Sequence, residues 1–235
     1  MVFSSVIFIF FFLPLSLFLY YFCNIRLRNY ILCFFSLLFY YYGEKKYLLL
    51  MFAVIFIAYI SSILIARTIK YRKIFITIAV VLNLLLLFYF KYFNFAIDSI
   101  NIIFKKNYIV QKIALPIGIS FYIFQSISYL IDLYKNKITL QKNPLKLALY
   151  ISLFPQLIAG PIVRYYEISG QIDSRIHCIE KFSEGIKRFI CGLSKKVILA
   201  NTIGSIADTI FSQEISSVQI ASAWLGLFCY RSEER

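Results

Sequence analysis

Long stretches of the chain carry no charge. Val2 to Phe22 is one such run, and as a helix it is long enough for the hydrocarbon core of a bilayer, which takes about 20 residues. It lacks the basic start and small-residue cleavage site of a signal peptide and therefore reads as a retained helix, kinked at Pro14. Three more apolar runs follow at Leu27–Tyr42, Tyr47–Ala66 and Ile74–Phe90, the last with Asn83 inside it. Their separators, Asn24–Arg26, Gly43–Lys46 and Arg67–Lys73, are so short that successive helices have to be antiparallel. Beyond residue 91 the pattern changes. Spans are predicted near 115–134, 145–160, 183–199, 200–211 and 218–229, and they are short or interrupted: Leu115-Pro116-Ile117-Gly118, Phe154-Pro155-Gln156 and Ala159-Gly160-Pro161. Non-helical backbone is tolerated at membrane depth only where it is buried in protein or lines a wet cavity. A functional site is therefore expected in the second half. No repeat and no flexible linker divides the chain, so residues 1–229 read as one membrane domain and residues 230–235 as a charged, aberrant end.

Composition strengthens this reading. The 235 residues are 61% apolar and 15% charged, with 25 Phe, 19 Tyr and a mean hydropathy of +0.77, against about 45–50% apolar and about 25% charged in soluble domains. That is more apolar surface than a globule of this size can hide. The expected fold is all-α, a polytopic integral membrane bundle of many helices. The net charge of +14 comes from basic residues clustered between the apolar runs, which excludes a nucleic-acid patch and fits loops sorted by charge. Arg26 and Arg28 mark the first connection and Arg67, Lys70, Arg72 and Lys73 the third, against Lys45 and Lys46 in the second and none at the N-terminus. Basic residues favour the cytoplasm, so the N-terminus is expected outside; Lys91, Lys105, Lys106 and Lys112 then fall on the outer side.

Three features could carry chemistry. Over Ile117–Tyr134, Tyr122, Gln125, Tyr129 and Asp132 fall at i, i+3, i+7 and i+10, which stacks a phenol, a carboxamide, a second phenol and a carboxylate on one helix face. The row could line a hydrophilic passage, or it could serve interhelical hydrogen bonding with an interfacial Asp at the helix end. Over Leu149–Arg164 a kinked or re-entrant segment holds Gln156 and ends at Arg164, which either grips an anion or snorkels to the interface. Over Ser183–Leu199, Phe182, Ile186, Phe189, Ile190, Leu193 and Val197 form an apolar stripe opposite Lys187, Arg188, Lys195 and Lys196. A basic amphipathic helix of this kind lies in the membrane interface, drawn to anionic lipid, or frames a mouth for an anionic donor.

Other residues point nowhere in particular. Cys23, Cys33, Cys178, Cys191 and Cys229 are odd in number and widely spaced, so neither a disulfide framework nor a metal site is expected. His177 is the only histidine; beside Cys178 in a polar loop it is not assigned as a base. There is no Gly-rich phosphate loop, no G-x-S-x-G and no H-E-x-x-H.

Several segments together resemble the membrane-bound O-acyltransferase family in its alginate O-acetyltransferase-like bacterial branch. They are Arg28-Asn29-Tyr30, Tyr41-Tyr42-Gly43-Glu44-Lys45-Lys46-Tyr47, and Tyr89-Phe90-Lys91-Tyr92-Phe93-Asn94-Phe95. The strongest is Leu115-Pro116-Ile117-Gly118-Ile119-Ser120-Phe121-Tyr122, running on through Phe124-Gln125-Ser126-Ile127-Ser128-Tyr129 to Asp132. Phe154-Pro155-Gln156-Leu157-Ile158-Ala159-Gly160-Pro161-Ile162-Val163-Arg164 and Gly192-Leu193-Ser194-Lys195-Lys196 continue it in order. The resemblance implies a ring of helices around a funnelled centre, and an enzyme that moves an acyl group, often acetyl, onto a polysaccharide hydroxyl. It implies an acyl-thioester co-substrate such as acetyl-CoA or an acyl carrier, no bound cofactor, a bacterial cytoplasmic membrane, and polysaccharide-modification proteins as partners on the outer side. The family's key histidine, a general base on the acceptor hydroxyl, lies in an Arg-Trp-His-type motif beyond residue 235. No catalytic residue is therefore expected here, and the chain is expected to be an N-terminal portion, inactive alone. The alternative is a non-catalytic transport or scaffold component, or an inactive remnant; broken helices and a polar stripe also suit a permeation path.

Overall fold

A computed structural model describes residues 3–104, 113–157, 160, 163–175, 177–213 and 219–233. Lys105, Lys106, Lys112, Ile158, Ala159, Pro161 and Ile162, and the last two residues of the expected charged end, lie outside the described residues. Every regular element among the described residues is helical. The chain divides into two compact units, Phe12–Arg175 and Val2–Phe11 with Ile176–Arg235.

In the Phe12–Arg175 unit, α1 (Leu13–Phe22), α2 (Arg28–Gly43), α3 (Leu48–Arg67) and α4 (Arg72–Leu87) follow one another through short connections. α3 is apolar on all sides, but only Met51, Val54, Ile55, Ala58, Ser62 and Ile65 are buried, while Leu49, Phe52, Phe56 and Ile60 face outward. An apolar helix with an apolar exposed face suits lipid, and the small Ala58 and Ser62 allow close approach of a neighbour. α4 does not end at Phe90 as the apolar run suggests. A π-helical turn at Phe88–Tyr92 carries it into α5 (Phe93–Phe104), making one helix of 33 residues. No Gly or Pro interrupts it. Asn94 also ties the returning chain to its flank, donating from Nδ2 to the Ile113 carbonyl (2.8 Å) and accepting from the Ile113 N–H (3.1 Å).

α6 (Ile119–Tyr134) packs between α3 and α4, with α7 (Pro144–Ser152) and α9 (Tyr165–Asp173) alongside. α7 starts on Asn143, whose side chain accepts from the Leu145 N–H, and has Pro144 in its first turn. The expected interruption in the 145–160 segment falls at Leu153, where ψ turns to 111°; Pro155 sits in the single turn α8 (Phe154–Leu157) that follows.

Two ends of this unit differ in charge. The Arg72 guanidinium donates to the Leu133 carbonyl and to Asn136 Oδ1, and Asn29 Nδ2 donates to the Ile172 carbonyl. These bonds gather the 24–27, 67–71 and 135–137 connections and the end of α9 at one end, so Lys135, Lys137 and Arg175 join Arg26, Arg28, Arg67, Lys70 and Arg72. At the other end, Glu44 Oε1 accepts from the Ile117 N–H and Tyr47 donates to the Ala114 carbonyl.

In the second unit, α10 (Ile179–Ser194), a π-helical stretch Lys195–Ala200 and α11 (Asn201–Phe211) form one continuous helix, so the separate spans expected at 183–199 and 200–211 are not separate. α12 (Ile220–Glu233) packs on α11, with Gly226 close to Ile210 and Phe211. Of the described helices, three are long and apolar enough to cross a membrane: Lys45–Arg67, Arg72–Phe104 and Ile179–Phe211. The apolar helix Phe8–Phe22 is shorter, and α2 has 16 residues.

Candidate functional site

The polar row predicted on the 117–134 helix is buried in the Phe12–Arg175 unit. Tyr122 and Tyr129 are 0% exposed, Gln125 2% and Asp132 4%. Ten residues separate the first from the last, which at 1.5 Å per residue is about 15 Å, or half a bilayer core. The helix that carries them begins at Gly118, whose φ of 76° and ψ of 3° are left-handed, a conformation glycine adopts without the steric cost of a Cβ. A Cβ there would lie 2.8 Å from the Leu157 carbonyl oxygen, so α8 is packed directly onto the start of α6.

A hydrogen bond from the connection between α6 and α7 accounts for one member of the row. Tyr129 Oη accepts from the Gln141 N–H at 3.2 Å, while Gln141 Nε2 donates to Tyr165 Oη at 2.8 Å. The Tyr129, Tyr150 and Tyr165 rings surround one another, with centroids 5.1 to 6.5 Å apart, and Tyr150 donates to the Val163 carbonyl. The other three members are different: Tyr122 Oη, Gln125 Oε1 and Asp132 Oδ2 are buried without a hydrogen-bond partner. So are Ser126 Oγ on the same helix, Tyr40 Oη beside Tyr122, and Asn83 Oδ1 on α4. Each such atom costs about 1–3 kcal/mol if nothing meets it, and native interiors carry few. A run of them along one helix is the chemistry of a surface made to meet hydroxyls, carbonyls or water.

Gln156 lies on α8, half-buried, with its Oε1 also unpartnered. Arg164 is exposed at the start of α9, and no bond or ring contact draws it to the row; its neighbour Tyr165 makes that approach instead. Burial raises the Tyr165 phenol above its ordinary value, partly offset by the Gln141 hydrogen bond. In the second unit, Lys187, Arg188, Lys195 and Lys196 are all exposed, and Arg188 pairs with Glu184 one turn earlier. No residue of α10 is buried, and of its apolar stripe Ile186, Phe189 and Ile190 are exposed and Leu193 is half-buried. His177 is exposed, and the Cys178 thiol hydrogen-bonds Glu180. Sequence reasoning missed Ser126, Tyr40, Gln141 and Tyr150. Ser126 stood within the strongest motif, one turn after Tyr122; Gln141 lies between helices and carried no periodic signal.

Over 99% of its length the chain is similar to the probable alginate O-acetylase AlgI of Azotobacter vinelandii, with 40% identity across 241 residues, 48% of that protein. It is similar to the AlgI of Pseudomonas aeruginosa at 39% identity, again over 99% of this chain and 46% of the relative. The peptidoglycan O-acetyltransferase of Helicobacter pylori is 30% identical over 98% of the chain and 50% of its own length. The chain thus spans about half the length of the curated relatives it matches. No protein-family model and no solved structure matches it.

Proposed function

We propose that the chain belongs to the membrane-bound O-acyltransferase family, alginate-type branch, and that it forms part of an enzyme moving an acetyl group onto a hydroxyl of a cell-surface or exported polysaccharide. The observation that carries this is the similarity across 99% of the chain to alginate O-acetylases. The donor is an acyl-thioester, acetyl-CoA or an acyl carrier, with no bound cofactor. Attack of an alcohol on a thioester needs the alcohol's proton removed and the developing oxyanion met by a donor.

The row Tyr122, Gln125, Tyr129 and Asp132, extended by Ser126 and by Gln156 on α8, lines the hydrophilic path within the membrane. Three of the four predicted members present a buried polar atom with no partner in the protein, which supports contact with substrate hydroxyls or water over interhelical bonding. Arg164, exposed beyond the path, takes the role of an interfacial anchor or a grip for an anion. Lys187, Arg188, Lys195 and Lys196 draw the uncovered face of α10 to anionic lipid. The N-terminus lies outside a bacterial cytoplasmic membrane, with the Arg28 and Arg175 end of the first unit in the cytoplasm, and polysaccharide-modification proteins act on the outer face.

The test is acetyl transfer by the full-length protein in proteoliposomes supplied with an acetyl-thioester and a polysaccharide acceptor. Acetyl ester formation is expected, reduced by substitution of Gln125 and Asp132. A correctly folded full-length protein that transfers nothing, while moving solutes through the membrane, would favour a permeation role.

A further inference from the structure

We infer that the basic end of the Phe12–Arg175 unit holds a binding site for a phosphate group, built from Arg28 and Arg175 around Tyr20 at the N-terminus of α2. The inference stands apart from the polar row of α6 and does not require it.

Tyr20 is buried at the end of α1. The guanidinium carbons of Arg28 and Arg175 lie 5.3 and 5.8 Å from the centre of its ring, and Arg175 Nη1 donates to Tyr20 Oη at 3.2 Å. The position of Arg175 is set by the Asn29 to Ile172 hydrogen bond, which fastens the end of α9 to the first turn of α2. Both guanidiniums carry their charge without a carboxylate: among the described residues neither is in an ion pair, and Asp173, the nearest carboxylate along the chain to Arg175, pairs with Lys146. The N-terminus of α2 adds to the positive field. No side chain caps it, its first turn holds no acidic residue, and its unsatisfied N–H groups carry the positive end of the helix dipole.

An arginine that merely snorkels keeps its N–H groups in water or headgroups. Arg28 is half-buried, and its Nε departs from that pattern, being buried with no acceptor. Planar forks of this kind match the oxygens of phosphate, and the free end of a helix is suited to the same ion. The ligand is thus a phosphate-bearing molecule reached from the basic end of the unit. Two sources present that chemistry there, the phosphates of a coenzyme A thioester and the phosphodiester of an anionic lipid.

The experiment uses the full-length protein, purified and delipidated. Phenylglyoxal modification of Arg28, Arg175 and Arg67 is followed by peptide mass spectrometry, alone and with coenzyme A, or after transfer into phosphatidylglycerol or phosphatidylcholine nanodiscs. Protection of Arg28 and Arg175 by at least fivefold, with Arg67 unprotected, is the expected result. Protection by coenzyme A assigns the nucleotide source; protection by phosphatidylglycerol but not phosphatidylcholine assigns the headgroup. Arg28→Gln and Arg175→Gln should each weaken binding of the protecting probe at least tenfold, and Arg67→Gln should not. Equal modification rates under all conditions overturn the site, whatever the acetyl-transfer assay shows, because the measurement reads the wild-type protein and needs no activity.

Discussion

Replacing Gly118 with alanine tests how α6 is positioned. The residue caps the helix in a left-handed conformation, φ 76°, which costs about 1–2 kcal/mol for a residue with a Cβ. The new methyl would stand 2.8 Å from the Leu157 carbonyl oxygen, where ordinary contact begins at 3.4 Å. The atom that must give way is backbone rather than the end of a flexible side chain. It belongs to a single turn whose first N–H, from Phe154, is held by Ser36 Oγ at 3.3 Å in a buried position. Displacement of well-packed groups costs about 1–3 kcal/mol. Together the two effects destabilise the protein by about 2–5 kcal/mol.

Gly170→Ala is the matched control. That glycine lies inside α9 with nothing within 4 Å of the added carbon, so alanine is expected to stabilise by up to about 1 kcal/mol through helix propensity. The assay is thermal denaturation of the full-length protein in detergent. A kcal/mol corresponds to about 2–4 °C for a domain of this size. Gly118→Ala should therefore lower the midpoint by at least about 4 °C, while Gly170→Ala leaves it unchanged or raises it slightly. If Gly118→Ala melts with the wild type, or shifts in the same direction as Gly170→Ala, the account of α6 docking on α8 is wrong.

Three further outcomes are expected. Tyr122→Phe removes a hydroxyl that has no partner, so stability should not fall and should rise by up to about 1–3 kcal/mol while acetyl transfer by the full-length protein falls; unchanged transfer takes Tyr122 out of the path. Tyr129→Phe instead strands the Gln141 N–H and should cost about 1–3 kcal/mol, read as a lower denaturation midpoint; a midpoint equal to that of Tyr122→Phe contradicts the assignment. Single cysteines in the 67–73 connection should react with an impermeant maleimide only after the cells are opened, and labelling of intact cells would reverse the topology.

The apolar runs were legible because spanning a membrane is a demand on composition and length, which a sequence displays directly. Which side of α3 turns inward was not, since the helix is apolar all round; the choice rests on Ala58 and Ser62 fitting against neighbours. The joints were legible where the backbone itself requires a special residue, as at Gly118. They were misread where only polarity changed. The runs ending at Phe90, before Lys91, and at Leu199 suggested boundaries, yet π-helical turns carry the chain through both regions without a break; at Lys91 a long basic side chain can leave a helix sideways without stopping it.

The row on α6 marks where periodicity ceases to inform. Spacing alone places Tyr122, Gln125, Tyr129 and Asp132 on one face, but whether a polar side chain is satisfied depends on what arrives opposite it, and those groups come from distant segments. Gln141 reaches Tyr129; the Tyr40 ring meets Tyr122 edge-on, and their two hydroxyls approach each other without meeting hydrogen-bond geometry. In water the difference would be small, since solvent would complete the unmet bonds. Surrounded by helices whose outer faces are apolar, it is large, because lipid offers no donor or acceptor. A chain that keeps Tyr122, Gln125, Ser126 and Asp132 there, among Ile and Leu of similar size on the same helix, tolerates a cost that any apolar substitution would remove. Occupancy of the row by polar molecules would recover that cost, and this, more than the spacing, is what supports the proposed hydrophilic path along α6.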